Sequence, residues 1–232
     1  MKTPSERALT ALQSRLGYSF ADASLLQQAL THRSAARDNN ERLEFLGDAL
    51  VGLVAARAFY QCFPDEDEGV LSRLRASVVR RESLAAVARE LGLSDCIILG
   101  ESERKSGGKH RDSILADALE ALAGAVWLDS TTEQAERVVG QWLSGALEQA
   151  SPEGIIDPKT RLQEWLQARG ESRPEYEVVE VSGEDHDQSF RVRCSLADRR
   201  LAAEAVGSAR RRAEQLAAEA ILSQLLETPN DG

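Results

Sequence analysis

Apolar positions along the first 150 residues recur at helical spacing, as at Leu9, Leu12 and Leu16, and again at Leu25, Leu26, Ala29 and Leu30. β-Branched alternation is absent, so the pattern predicts an all-α domain. Longer helices are expected at Asn39 to Phe63, Gly69 to Val79, Arg81 to Leu91, Arg111 to Leu128 and Thr132 to Ala150. Pro64 and Gly92 close two of them, and Ser106, Gly107 and Gly108 read as a turn. The segment SPEGIIDP, with two prolines and a glycine, reads as an interdomain linker over 151–157. A helix at Lys159 to Arg169 follows, then alternating segments at Glu175 to Val181 and Ser189 to Ser195, an apolar stretch at Leu201 to Val206, and a last alanine-rich helix from Ser208 to Leu226. The expected architecture is an all-α domain over 1–150, then a small α+β domain over 158–228 of order α-β-β-β-α. Its last helix would lie across one face of a three-stranded sheet.

Composition narrows the class. The 232 residues carry 28 Lys and Arg against 38 Asp and Glu, a formal charge of −10. A mean hydropathy of −0.35 describes a globular chain. No apolar run approaches the roughly 18 residues of a spanning helix, which argues against a membrane protein. The opening MKTPSERALTALQSRL lacks the apolar core and cleavage site of a signal peptide, so a cytoplasmic location is expected. Cys62, Cys96 and Cys194 are too few and too far apart for a disulfide framework or a zinc knuckle. Neither a small-molecule cofactor nor a membrane partner is expected.

The acidic balance speaks against a nucleic-acid partner, because phosphate binding needs clustered cations. Neither half of the chain is basic: 17 basic and 24 acidic residues precede Pro158, and 11 and 13 lie between Pro158 and Glu227. Yet Arg210, Arg211 and Arg212 stand in a row, and local fields outweigh totals over a Debye length.

The most informative segment is Asn40-Glu41-Arg42-Leu43-Glu44-Phe45-Leu46-Gly47-Asp48-Ala49-Leu50. On a helix, Glu41, Glu44 and Asp48 share one face, and Leu43, Leu46, Leu50 and Val54 gather opposite. Like charges at this spacing repel, which a divalent cation would relieve. Taken alone, the stripe reads first as solvated surface. A second acidic pair, Asp117 and Glu120, lies one turn apart between Leu115, Leu119 and Leu122, in a helix apolar enough to be buried. Buried carboxylates want a cationic partner. All-oxygen ligands select magnesium, with manganese as substitute, over zinc or copper. A di-iron carboxylate bundle would need Glu-x-x-His, and none of His32, His110 and His186 follows a glutamate by three.

These residues resemble the signature of the ribonuclease III family, endoribonucleases specific for double-stranded RNA. The resemblance extends to Leu30-Thr31-His32-Arg33-Ser34, Asp67-Glu68-Gly69-Val70-Leu71-Ser72, Lys105-Ser106-Gly107-Gly108 and Ser113 to Leu122. The C-terminal segment is similar to the family's double-stranded-RNA-binding domain. The resemblance implies direct magnesium ligation by Glu44, Asp117 and Glu120, catalytic roles for Asp48 and Glu120, and supporting roles for Glu41 and Glu68. It also implies a homodimer in which Phe45 enters a socket on the second subunit; the alternative is packing within its own chain.

For the RNA, the resemblance implies minor-groove contacts from Thr160, Gln163, Glu164 and His186. Ser208, Arg210 and Arg211 would hold phosphates across the major groove. The chain departs from the usual family pattern at Ala205 and Ala209, where glycine and serine are frequent. The expected products carry 5′-phosphate and 3′-hydroxyl ends with 3′ overhangs, and the expected substrates include ribosomal RNA precursors. Two rivals remain at this point. One is a catalytically silent duplex-RNA binder; the other is a structural helical protein whose C-terminal module binds protein.

Overall fold

The computed structural model describes residues 4–152, 157–183 and 188–227. The chain divides into two units, Met1–Ile155 and Ile156–Gly232. In the first, helices α1 (Glu6–Leu16), α2 (Ala23–Ala29), α3 (Glu41–Cys62), α4 (Glu68–Val79), α5 (Arg81–Glu90), α6 (Glu101–Lys105), α7 (Asp112–Asp129) and α8 (Thr132–Gln149) follow one another.

Local chemistry sets several of the boundaries. Ser5 caps α1 by accepting from Ala8 N, and Gly17 ends it at φ 65°, a left-handed conformation that glycine adopts without strain. Asp67 caps α4 by accepting from Val70 N, so this helix begins at Glu68, inside an acidic run that reads as loop. The short α6 buries no residue, which is why no apolar periodicity announces it.

Helix α7 forms the centre of the first unit. Leu115, Ala118, Leu119, Ala121, Leu122, Ala123, Ala125 and Val126 are all at 0% exposure, so α7 is apolar nearly all round, as a helix enclosed by others must be. Its most extensive partner is α3. The two backbones touch where both carry glycine. A Cβ on Gly47 would stand 1.7 Å from the Glu120 carbonyl oxygen, and one on Gly124 would stand 2.2 Å from that of Leu43. Only glycine permits this approach. The apolar face expected for α3 is amended at Leu46: Leu43, Leu50 and Val54 are buried, whereas Leu46 is half-exposed.

A second close contact shapes one edge of the domain. Thr31 bridges Ile98, with Ile98 N donating to Leu30 O at 2.8 Å and His32 N to Ile98 O at 3.0 Å. Asn40 N donates to Thr31 O at 2.9 Å, tying the start of α3 to the same segment.

The second unit holds helices α9 (Pro158–Gln167) and α10 (Arg210–Glu227), and strands β1 (Glu175–Ser182), β2 (Ser189–Leu196) and β3 (Leu201–Gly207). The strands form an antiparallel sheet in the order β1-β2-β3. Tyr176 lies opposite Cys194, and Cys194 opposite Ala203. Small side chains let α10 sit close: Ala213, Ala217 and Ala218 are fully buried, and Leu162, Leu166, Ile221 and Leu222 complete the core. Ala205 packs against this core as well.

Candidate active site and RNA-binding surface

The glycine crossing decides where the acids go. Glu44 and Asp48 flank Gly47 on α3, and Asp117 and Glu120 precede Gly124 on α7, so closing the helices to backbone contact closes the acids on each other. Single carboxylate oxygens of Glu44, Asp117 and Glu120 all lie within 4.8 Å of one another, and each residue is half-buried. Asp48 stands exposed beside them, and its charge is felt at both Glu120 and Glu44.

The electrostatic consequence is strong. Burial, then the charges of Asp48, Glu44 and Asp117, push Glu120 up to about 8. Burial, then Asp117 and Glu41, raise Glu44. Burial also raises Asp117, against the opposing pull of Arg81, His32 and Arg33. Three carboxylates this close cannot all ionise cheaply without a cation. The donor set is all oxygen, of the kind that holds magnesium or manganese, and the residues fit a divalent ion.

The site opens on a cleft of about 550 Å³. His32, Arg33, Asn40, Glu41 and Glu44 line one side, and Glu103, Arg111, Ser113 and Asp117 contribute the other. Glu41 lies at the exposed rim, 3.4 Å from Arg33 Nη1. Arg111 pairs with Glu103 at 2.7 Å and donates to Ser106 Oγ at 3.1 Å, which fixes the loop after α6. His32 Nδ1 lies 2.8 Å from Ser34 Oγ and accepts from Ser34 N at 3.2 Å. Burial lowers the pKa of His32, so its ring is neutral near pH 7.

Glu68 is not brought to this cleft. It sits in the first turn of α4, where Ser72 Oγ donates to it at 2.7 Å. His32, Asn40, Glu103 and Arg111 are cleft residues to which sequence reasoning gave no role. A signal existed only for His32, which falls inside a segment that carries the resemblance; Asn40 directly precedes another.

Phe45 does not pack within its own domain. At 83% exposure it lies with half-exposed Leu46, Leu128 at 56% exposure, Gln28 and Arg42 along an apolar groove.

In the second unit, Asp157, Lys159, Thr160, Gln163, Arg210, Arg211 and Glu214 line a shallow depression. Glu214 is the organising group. Though 8% exposed, it accepts from Lys159 Nζ at 2.5 Å and from Arg210 Nε at 2.9 Å. These contacts hold its carboxyl below the usual range, the Lys159 hydrogen bond contributing most. Arg211 Nη2 lies 3.5 Å from Asp157 Oδ2. The structure therefore brings Thr160, Gln163, Arg210 and Arg211 together. Exposed Glu164 and Ser208 do not line the depression, Arg212 is exposed, and His186 lies outside the described residues. Lys159 and Glu214 were missed from sequence; in a row of charged residues, nothing marks which pair across elements.

A Ribonuclease-III-like family model matches residues 22–147, more than half the chain. A double-stranded RNA binding motif matches residues 158–225. Two solved structures of the nuclease domain of ribonuclease III from Campylobacter jejuni are similar. One is 42% identical and covers 59% of this chain and 96% of its own, with a TM-score of 0.58; it concerns flexibility in a region involved in dimer formation in that protein. The other is 41% identical and covers 62% and 98%, with a TM-score of 0.59. With an acidic crossing in the first unit and a cationic depression in the second, the chain belongs to the ribonuclease III-like family and is an endoribonuclease of double-stranded RNA.

Proposed function

We propose that this endoribonuclease is a magnesium-dependent homodimer. It hydrolyses duplex regions of ribosomal RNA precursors and other structured transcripts, leaving 5′-phosphate and 3′-hydroxyl ends with 3′ overhangs. The observation that carries the metal dependence is the approach of Glu44, Asp117 and Glu120 to within 4.8 Å. These three residues would hold the ion. When bound, magnesium supplies the positive charge that lowers the pKa of an attacking water and neutralises the departing 3′ oxygen.

The chain's own residues do the rest. Glu120, whose carboxyl is crowded by the neighbouring acids, would hold the ion as a carboxylate. Asp48, exposed next to Glu120, orients the attacking water and takes its proton. Glu41 and its partner Arg33 set the charge at the rim, and Glu68 acts from outside the cleft. No nucleophilic side chain is needed.

The second unit supplies the grip. An A-form duplex offers 2′-hydroxyls across its minor groove and phosphates across the major groove. Thr160, Gln163, Glu164 and His186 meet the former; Ser208, Arg210 and Arg211 at the start of α10 meet the latter, where backbone N–H groups and guanidinium forks act together. Phe45 and its groove form the dimer contact. Buried, unpaired Cys96 and Cys194 are compatible with the reducing cytoplasm.

The test is cleavage of an end-labelled RNA duplex in magnesium, with single-stranded RNA beside it, by wild type and Glu120→Gln. Wild type should cut only the duplex, and the variant should bind it with wild-type affinity without cutting. A wild type that binds duplex but never cuts in magnesium or manganese would replace this reading with that of a silent binder.

A further inference from the structure

Asn40 is the anomaly of the cleft. It is 3% exposed and stands one turn before Glu44 at the start of α3, the N-cap position. An asparagine there ordinarily caps its helix, but Asn40 makes no side-chain capping bond. The neighbour does that work: Asn39 Oδ1 accepts from Glu41 N at 3.0 Å. No described residue hydrogen-bonds the Asn40 amide, although burying such a group without a partner is costly. Nor is the amide sealed in the core. The Tyr176 hydroxyl is the one fully enclosed side-chain polar atom without a partner among the described residues, so the Asn40 amide opens on the cleft it lines with Glu44 and Asp117.

His32 repeats the pattern across the Asn40 N to Thr31 O bond. Ser34 Oγ accepts from Gly100 N at 3.0 Å and lies 2.8 Å from His32 Nδ1. Nδ1 also accepts from Ser34 N, so the ring's proton is on Nε2, and no described residue accepts it. Gly100 makes this possible, because a Cβ there would stand 2.2 Å from Ser34 O.

Elsewhere the cleft is rich in acceptors. Glu41, Glu44, Glu103 and Asp117 surround it, and its arginines, Arg33 and Arg111, are paired with Glu41 and Glu103. A phosphodiester entering among carboxylates needs donors for its non-bridging oxygens. We propose that Asn40 and His32 are N–H donors that hold a non-bridging oxygen of the scissile phosphate opposite the Glu44-Asp117-Glu120 triad. This rests on the nuclease reading above. Donors fixed before the reaction act without reorganisation, which is where transition-state stabilisation is largest.

The experiment uses the full chain and an RNA hairpin with one mapped cut, under single-turnover conditions in magnesium. Asn40→Ala and His32→Ala should each slow cleavage by about 100-fold, the scale seen for loss of one such donor. Duplex affinity in EDTA should stay within about twofold, because the phosphate grip lies in the second unit. Asn40→Asp, nearly isosteric but acceptor-only, should be slower still. Magnesium binding to the RNA-free protein, followed by calorimetry, should be unchanged in Asn40→Ala.

A phosphorothioate at the cut supplies a readout that a structural role does not move. One diastereomer should slow wild type strongly, and Asn40→Ala should lose most of that penalty. Wild-type cleavage by Asn40→Ala overturns the proposal, as does a loss of magnesium affinity parallel to the loss of rate, since the amide would then be a metal ligand. If wild type itself does not cut the hairpin, it is the nuclease reading that fails.

Discussion

At the scale of single residues, the site depends as much on two absent side chains as on three carboxylates. Gly47→Ala puts a methyl group into the Glu120 carbonyl, so the helices must part and the triad must open. Overpacking of this kind costs roughly 1–3 kcal/mol, which in a unit of this size should lower Tm by roughly 2–12 °C. Cleavage should fall with it, because the acids move apart. Gly145→Ala in α8 is the control. A Cβ there meets nothing within 4 Å, and alanine should stabilise the helix by up to about 1 kcal/mol. Thermal melts and cleavage rates of the two variants check both statements.

The carboxylates make a second residue-scale prediction. Glu120 titrates near 8 when folded, against the ordinary 4.5, so between these values the folded state holds a proton that the unfolded state has lost. Stability of the metal-free protein from this group therefore falls as pH rises from about 5 to 8. His32 works in the opposite sense: its pKa is lowered from 6.5, so it adds stability as pH rises toward that value. The difference between wild type and Glu120→Gln removes the histidine's contribution. Expected is an advantage of the variant that grows from pH 5 to pH 8 in EDTA and shrinks when magnesium is added. A difference in Tm that does not change with pH would contradict the raised carboxyl.

At the scale of elements, α3 and α7 were legible because each combines helical periodicity with acids one turn apart. Their approach was not. A glycine within a helix gives no sign of which backbone it will meet, so the pattern put the α3 acids on a face away from the core, whereas Glu44 is half-buried against α7. Helix α6 buries nothing and therefore leaves no apolar trace. Asn40 and His32 show no sign of a role until the hydrogen bonds of their neighbours are known. The succession of three strands and α10 was readable from alternation and from alanine spacing, but the ion pair from Glu214 to Lys159 joins elements far apart in sequence. Removing Arg210 and Arg211 together should weaken duplex binding and reduce the slope of log affinity against log salt by about 2, one unit for each phosphate no longer neutralised. Filter binding across a salt series measures this; an unchanged slope would mean that α10 does not touch phosphates.

At the scale of the whole molecule, the question is what covers Phe45. A ring at 83% exposure beside Leu46 and Leu128 presents apolar surface on the helix that carries Glu44 and Asp48. Single exposed apolar residues are common, but a ring beside an apolar groove is the arrangement that a two-fold axis, the symmetry of most homodimers, would pair ring into groove twice over. Two copies joined there would place two acidic clefts in one assembly, one for each strand of a duplex, which single cuts by a monomer would not match. Sedimentation of wild type should give a species of about 51 kDa, twice the 25.3 kDa chain. Phe45→Arg should sediment as a monomer while keeping its fold, since the side chain touches solvent in the single chain. The variant should still bind duplex through its second unit but should lose paired cuts, which gel analysis of both labelled strands resolves. A variant that remains dimeric, or a monomer that still cuts both strands together, would remove Phe45 from the interface and leave the groove without a role in catalysis.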